Sequence, residues 1–196
     1  MDYSPKANSA LLSLKTASSA ENQRYFDCVS TDLSNDTTLY AFGANVDFVG
    51  ALLGSGVRFL IVGGLAVKHF CPEREVDDLD VMIDPTLENT ERVIKVLDRF
   101  CPGHVLAAAS LAGPGKQIPL KTHLLYLDVL TPRTETPDFE ALWKTAVPAR
   151  LFQLNLMLPS LNSLLALKRY AAETDADSKR REKHLKDVVC LQKLVI

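Results

Sequence analysis

The segment GGLAVKHFCPEREVDDLDVMID (residues 63–84) constrains this chain more than any other. Asp78 and Asp80 sit one residue apart, with Leu79, Val81 and Ile83 interleaved. A β-strand sends successive side chains to opposite faces. The run therefore predicts a strand over 79–83 that turns its apolar residues to a core and both carboxylates to the other side. Two carboxylates on one face repel, and both are costly to desolvate unless something cationic lies between them. A divalent metal ion answers that requirement, and a solvated strand face at a sheet edge is the alternative. Upstream, Arg58 to Val62 (RFLIV) reads as a strand that runs into Gly63-Gly64. A Gly-Gly turn opening a helix permits tight reversal and close approach of a phosphate to backbone N–H groups. Neither GxxxxGK nor GxGxxG is present, which excludes a Walker loop and a dinucleotide fingerprint.

Asp128 is the second constraint. It lies in THLLYLDVL (122–130), a run apolar on both faces that reads as a central strand. A lone Asp there would raise its pKa or destabilise the fold. A place beside Asp78 and Asp80 on a neighbouring strand accounts for it; the alternative puts it at the strand end, capping the turn at Thr131-Pro132. Asp77 points opposite Asp78 by alternation and belongs to the preceding loop, and Asp84 begins a turn. Both are read as lying outside the site.

The 196 residues, 47% apolar and 23% charged, suit one compact soluble domain with a small helical appendage. A net charge of −2 argues against a general nucleic-acid coat but leaves room for a local basic groove. Cys28, Cys71, Cys101 and Cys190 show no CxxC or zinc spacing, so reduced thiols are expected. His69, His104, His123 and His184 share no metal-ligand spacing. No signal peptide is apparent, and no apolar run approaches the roughly 20 residues that span a bilayer. The expected location is cytoplasmic, without a membrane partner.

Helices are expected at 45–53, 65–70, 87–100 (capped by Thr86), 139–144, 160–172 and 178–194, with Ser160 and Ser178 as caps. Further strands are expected near 104–109 and 116–120, and an edge strand at 151–156. The expected fold is α/β (α+β), a mixed sheet with flanking helices and a C-terminal helical pair. Its parts are an extension at 1–40, a core at 41–158 and C-terminal helices at 159–196 packed on that core. The late segment SKRREKHLKDVVCLQKL (178–194) carries Lys179, Arg180, Arg181, Lys183 and Lys186. Most read as a solvated basic face; Lys168, Lys183 and Asp187 are candidates to reach phosphates or to order the site.

With these residues in hand, the chain resembles the nucleotidyltransferase superfamily with the polymerase-beta-like fold. That pattern is a strand, a Gly-Gly or Gly-Ser turn, a helix, an acidic-x-acidic pair and a third acidic residue on a later strand. Gly63-Gly64, Asp78-Leu79-Asp80 and Asp128 match it. The chain looks most like the minimal bacterial branch related to AbiEii-type toxins, in which an Arg-x-Thr commonly precedes the acidic pair. Arg74 matches, and Val76 stands where Thr is usual. Lys168 and Lys183 to Asp187 resemble that branch's later lysine elements. The resemblance covers roughly residues 45–194.

It implies two-metal transfer of a nucleoside monophosphate from an NTP, with Mg²⁺ (or Mn²⁺) held by Asp78 and Asp80. Asp128 would complete the second metal site and help activate the acceptor hydroxyl. Gly63-Gly64 would seat the β- and γ-phosphates, with Arg74, Lys168, Lys183 and Asp187 in the nucleotide site. The acceptor stays open between an RNA end such as tRNA, with an antitoxin protein as partner, and a small molecule or protein side chain. A catalytically silent binding module is the alternative from another class.

Overall fold

The computed structural model describes residues 44–76, 78–102, 106–121, 125–151 and 153–195. The extension at 1–40, Asp77, Cys28, His104, His123 and the first residues of the expected 122–130 strand lie outside the described residues.

Helix α1 (Ala44–Gly54) leads into β1 (Phe59–Val62), which passes without a linker into α2 (Gly63–Phe70). Next come β2 (Leu79–Ile83) and α3 (Leu87–Phe100). After a single 3₁₀ turn at Ala108–Ser110 come β3 (Gln117–Lys121) and β4 (Tyr126–Leu130). Helix α4 (Phe139–Lys144), β5 (Val147–Leu151), β6 (Leu154–Leu158), α5 (Leu161–Thr174) and α6 (Ser178–Gln192) complete the order. Four strands form a mixed sheet ordered β1-β2-β4-β3, and β5 and β6 form a separate hairpin. Strands β2 and β4 are parallel, whereas β1–β2 and β3–β4 are antiparallel.

Alternation sorts the sheet's two faces. Phe59, Ile61, Leu79, Val81, Ile83, Leu127 and Val129 enter the main core with Val93, Val96, Leu97 and Phe100 of α3. Each fully buried side chain of this size contributes about 1.5–3 kcal/mol. On the opposite face Leu60, Val62 and Met82 pack with Phe139 and Leu142 of α4 in a smaller cluster. Asp80 lies between Leu79 and Val81 and so shares this second face, at its open end. Leu164 and Leu165 of α5 and Leu191 of α6 belong to the main core.

Several expectations are corrected. Of the strand expected at 104–109, the described part is irregular or 3₁₀, closing on Gly113-Pro114-Gly115. The expected edge strand is the hairpin β5–β6, which turns at Gln153, a residue with φ of 64°. Thr86 holds the N-cap position of α3 without a side-chain cap; the local carboxylate is Asp84, whose Oδ1 accepts from Thr86 N at 3.0 Å. Asp177, not Ser178, caps α6, accepting from the N–H groups of Lys179 and Arg180; Ser160 does cap α5. Strand β4 alternates in burial, and only its odd residues are fully enclosed. The cysteine expectation also changes: Cys71 and Cys190 are disulfide-bonded, 119 residues apart in sequence. Cys71 ends α2 and Cys190 lies on α6, a meeting that local spacing does not announce. Cys101 is a free, half-buried thiol whose pKa burial pushes up.

Candidate active site

The sheet register assembles the carboxylates. Asp80 is the parallel-ladder partner of Asp128 and the antiparallel partner of Val62. The residue after Val62 is Gly63, so the Gly-Gly turn and two of the aspartates share one end of three adjacent strands. Asp78 stands just before β2. One carboxylate oxygen from each of Asp78, Asp80 and Asp128 lies within 4.8 Å of the others. Asp128 does not cap the turn at Thr131; that hydroxyl instead donates to Gly113 O and accepts from Lys116 N.

Gly63 is required on two grounds. Its φ is +66°, and a Cβ there would sit 1.7 Å from Asp80 Oδ2. At Gly64 the nearest atom to such a Cβ is a guanidinium nitrogen of Arg74 at 3.5 Å, an ordinary contact. Gly63 thus makes room for Asp80, while Gly64 lies against Arg74.

Arg74 and Lys168 meet at Asp187. Arg74 Nε is 2.5 Å from Asp187 Oδ1, and Lys168 Nζ is 2.8 Å from Oδ2. The Asp187 side chain is fully buried, so its place is to hold the two cations. The positive charge of Lys168 also acts on Asp80. Lys183 lies one helical turn before Asp187 on α6 and is half-buried. Asp84 is removed from the site: it is buried and pairs with Arg58 at 2.8 Å.

Two residues on β3 join the site without a signal in the sequence pattern. Lys121 Nζ lies 3.0 Å from Asp128 Oδ1, 3.7 Å from Asp78 Oδ2 and 4.0 Å from the centroid of the Tyr126 ring. Gln117 Nε2 donates to Asp128 Oδ2 at 2.8 Å. Behind them, buried Asn45 of α1 brackets the start of β4, donating to Tyr126 O at 3.0 Å and accepting from Tyr126 N at 2.9 Å. The only hint of Lys121 is its position closing the strand after Gly113-Pro114-Gly115.

The electrostatics single out Asp80. Among the described residues its carboxylate has no hydrogen bond or salt bridge. Burial, then the charge of Asp78, pushes its pKa up to about 7, against the opposing pull of Lys168 and Lys121. The unfolded chain ionises this group near pH 4, so its protonated form is favoured in the metal-free fold. Stability from this group is present below about pH 4 and is lost as pH rises through about 7. Melting temperatures of chelator-treated protein should show it. The difference between wild type and Asp80→Asn should shift against wild type from pH 5 to 8, and Mg²⁺ should remove that shift. A pH-independent difference would contradict the assignment. Comparing the two proteins cancels the opposite contribution of His184, whose pKa burial and then Lys168 lower.

No protein-family model and no curated protein matches this sequence. Among solved structures, the chain is similar to an antigenic nucleotidyltransferase-like protein from Paracoccidioides brasiliensis, with 12% identity over 76% of each chain and a TM-score of 0.47. It is also similar to ANT(2")-Ia in complex with adenylyl-2"-tobramycin, with 16% identity over 76% of this chain and 88% of that one and a TM-score of 0.48. A solution structure of the antibiotic-resistance factor ANT(2'')-Ia gives 14% identity over 76% and 89% of the two chains and a TM-score of 0.43. Likenesses this weak assign no activity to the chain. Among the described residues, no helix is long and apolar enough to cross a membrane.

Proposed function

We propose that the chain is a metal-dependent nucleotidyltransferase that moves a nucleoside monophosphate from an NTP to an acceptor hydroxyl. One observation carries the reading: Asp78, Asp80 and Asp128 converge beside a glycine turn whose first residue is shaped around Asp80. The donor set fits Mg²⁺ or Mn²⁺, since it consists of hard carboxylate oxygens and one of them, on the largely enclosed Asp80, has no ion-pair partner among the described residues. Asp78 and Asp80 would hold the ion. When bound, it would neutralise phosphate charge and lower the pKa of an oxygen in its reach.

The remaining roles belong to the chain's own residues. Gly63 and Gly64 leave the backbone at the start of α2 open to the β- and γ-phosphates. Arg74 and Lys168, fixed by Asp187, neutralise charge on the leaving pyrophosphate, with Lys183 contributing from the same helix as Asp187. Asp128 accepts the proton of the acceptor hydroxyl as its oxygen bonds to the α-phosphorus. The bond to the bridging oxygen breaks and pyrophosphate departs.

The acceptor we favour is an RNA end such as that of tRNA. Lys179, Arg180 and Arg181 stand exposed at the start of α6 and supply a small basic surface, although Arg180 pairs with Asp175 at 3.1 Å. An AbiEii-type role adds an antitoxin protein as partner. The test is incubation of wild type and Asp78→Asn/Asp80→Asn with each α-labelled NTP, Mg²⁺ and total RNA, with small hydroxylated compounds in parallel. Label transferred to RNA by wild type alone is the expected result. Label on a small molecule moves the acceptor to that class. Transfer unchanged by the double substitution would sink the proposal, as would NTP binding without any product, which marks a silent module.

A further inference from the structure

Three carboxylates in one cluster carry more negative charge than a single divalent ion cancels. The fold already supplies one positive charge there. The Lys121 ammonium lies between Asp78 and Asp128, at 3.7 and 3.0 Å. It approaches from β3, whose Lys121 is the ladder partner of Tyr126, and it rests on that residue's ring. Asp128 is engaged at both oxygens, by Lys121 at Oδ1 and by Gln117 at Oδ2. Among the described residues, Asp80 is the one of the three left without such a partner. We propose that Lys121 is the resident second cation of the site: it bridges Asp78 and Asp128, so the cluster takes one divalent ion, on Asp80 and Asp78, rather than two.

This rests on the metal-dependent reading above and departs from the two-metal expectation carried by the family resemblance. Charge arithmetic favours it. In the nucleotide-free site, three carboxylates and one ammonium leave a charge of about −2, which one divalent ion cancels; a second would leave an excess positive charge in a partly enclosed place. The ammonium stands within ion-pair reach of both carboxylates, 3.0 Å from Asp128 and 3.7 Å from Asp78. Lys121 is therefore a positioning residue. It orders Asp78 and Asp128 before any ion arrives and keeps Asp128 free of metal as proton acceptor.

The experiment is a count of Mn²⁺ ions, by calorimetry and by the electron paramagnetic resonance of free Mn²⁺. It compares wild type, Lys121→Met and Lys121→Arg, with transfer activity followed separately. Wild type should bind one ion per chain. Lys121→Met should bind a second ion or hold the first about tenfold more tightly, and Lys121→Arg should behave as wild type. Two ions bound by wild type overturn the proposal whether or not the variants fold, and leave the transferase reading standing. An unchanged count and affinity in folded Lys121→Met overturns it as well. Binding by Lys121→Met but not by wild type overturns it too, because the resident ammonium is proposed to leave room for one ion. Absence of Mn²⁺ binding in all three proteins overturns the proposal together with the metal-dependent reading beneath it, a result distinct from two ions bound with transfer intact.

Discussion

Replacing Asp187 with alanine is expected to destabilise the fold by about 3–5 kcal/mol, the range for removing one partner of a buried ion pair. The carboxylate has no exposed side-chain surface, and its partners are themselves largely enclosed: the side chain of Arg74 is 16% exposed and that of Lys168 is 8%. Without Asp187 two cations face each other in a poorly solvated place. The charge of Asp80 offsets part of the cost to Lys168. The Cys71–Cys190 disulfide still ties α6 to the end of α2, so under oxidising conditions the loss reports the ion pairs rather than detachment of the helix. Denaturant midpoints measure it. Lys168→Met/Asp187→Leu should recover much of the deficit, because an apolar pair leaves fewer buried charges without partners. A single-variant loss below about 1 kcal/mol, the scale of a surface pair, would contradict the buried-network picture.

Gly63→Ala and Gly64→Ala should part company. An L-residue in the left-handed conformation of Gly63 costs roughly 1–2 kcal/mol. Beyond that, the methyl would meet Asp80 Oδ2 at 1.7 Å, and the contact involves the Asp80 Cβ at 2.8 Å as well as its carboxylate. Asp80 cannot keep its position, so Gly63→Ala should also lose the stabilisation that Mg²⁺ or Mn²⁺ confers on wild type. Gly64 lies inside α2 with a normal φ and only ordinary contact to Arg74. Alanine there should change stability by no more than about 1 kcal/mol, with the sign favoured by helix propensity. Thermal melts with and without the cation compare all three proteins. Equal metal-dependent stabilisation of Gly63→Ala and wild type would show that the turn is not shaped around Asp80.

The elements of strong local pattern were legible from residues alone. The period-two run at 79–83 and the amphipathic stretch at 87–100 match β2 and α3 at both ends, since in each a single buried face dictates the spacing. Elsewhere the local punctuation of the chain is weak. Asp177 and Ser178 are adjacent cap formers, and choosing between them depends on the backbone path entering α6. The hairpin β5–β6 takes the place of the single edge strand expected at 151–156, because Gln153 turns the chain without glycine or proline. The pairings across the fold left no local trace: Lys121 with Asp78 and Asp128, Asn45 with Tyr126, and Cys71 with Cys190.

By itself the sequence determined that Asp80 leaves the core face of a strand with Asp78 two positions before it, that a glycine turn precedes them and that Asp128 sits in a strand needing a partner. Alternation and the cost of burying charge suffice for each of these statements, because they concern one strand at a time. Tertiary structure alone decided that Asp80 and Asp128 are ladder neighbours, that Gly63 yields its side-chain space to Asp80, and that a lysine from β3 already lies between two of the carboxylates. Those are matters of strand order and register, set by packing both faces of the sheet at once, and residues far apart in the chain carry no local mark of that packing.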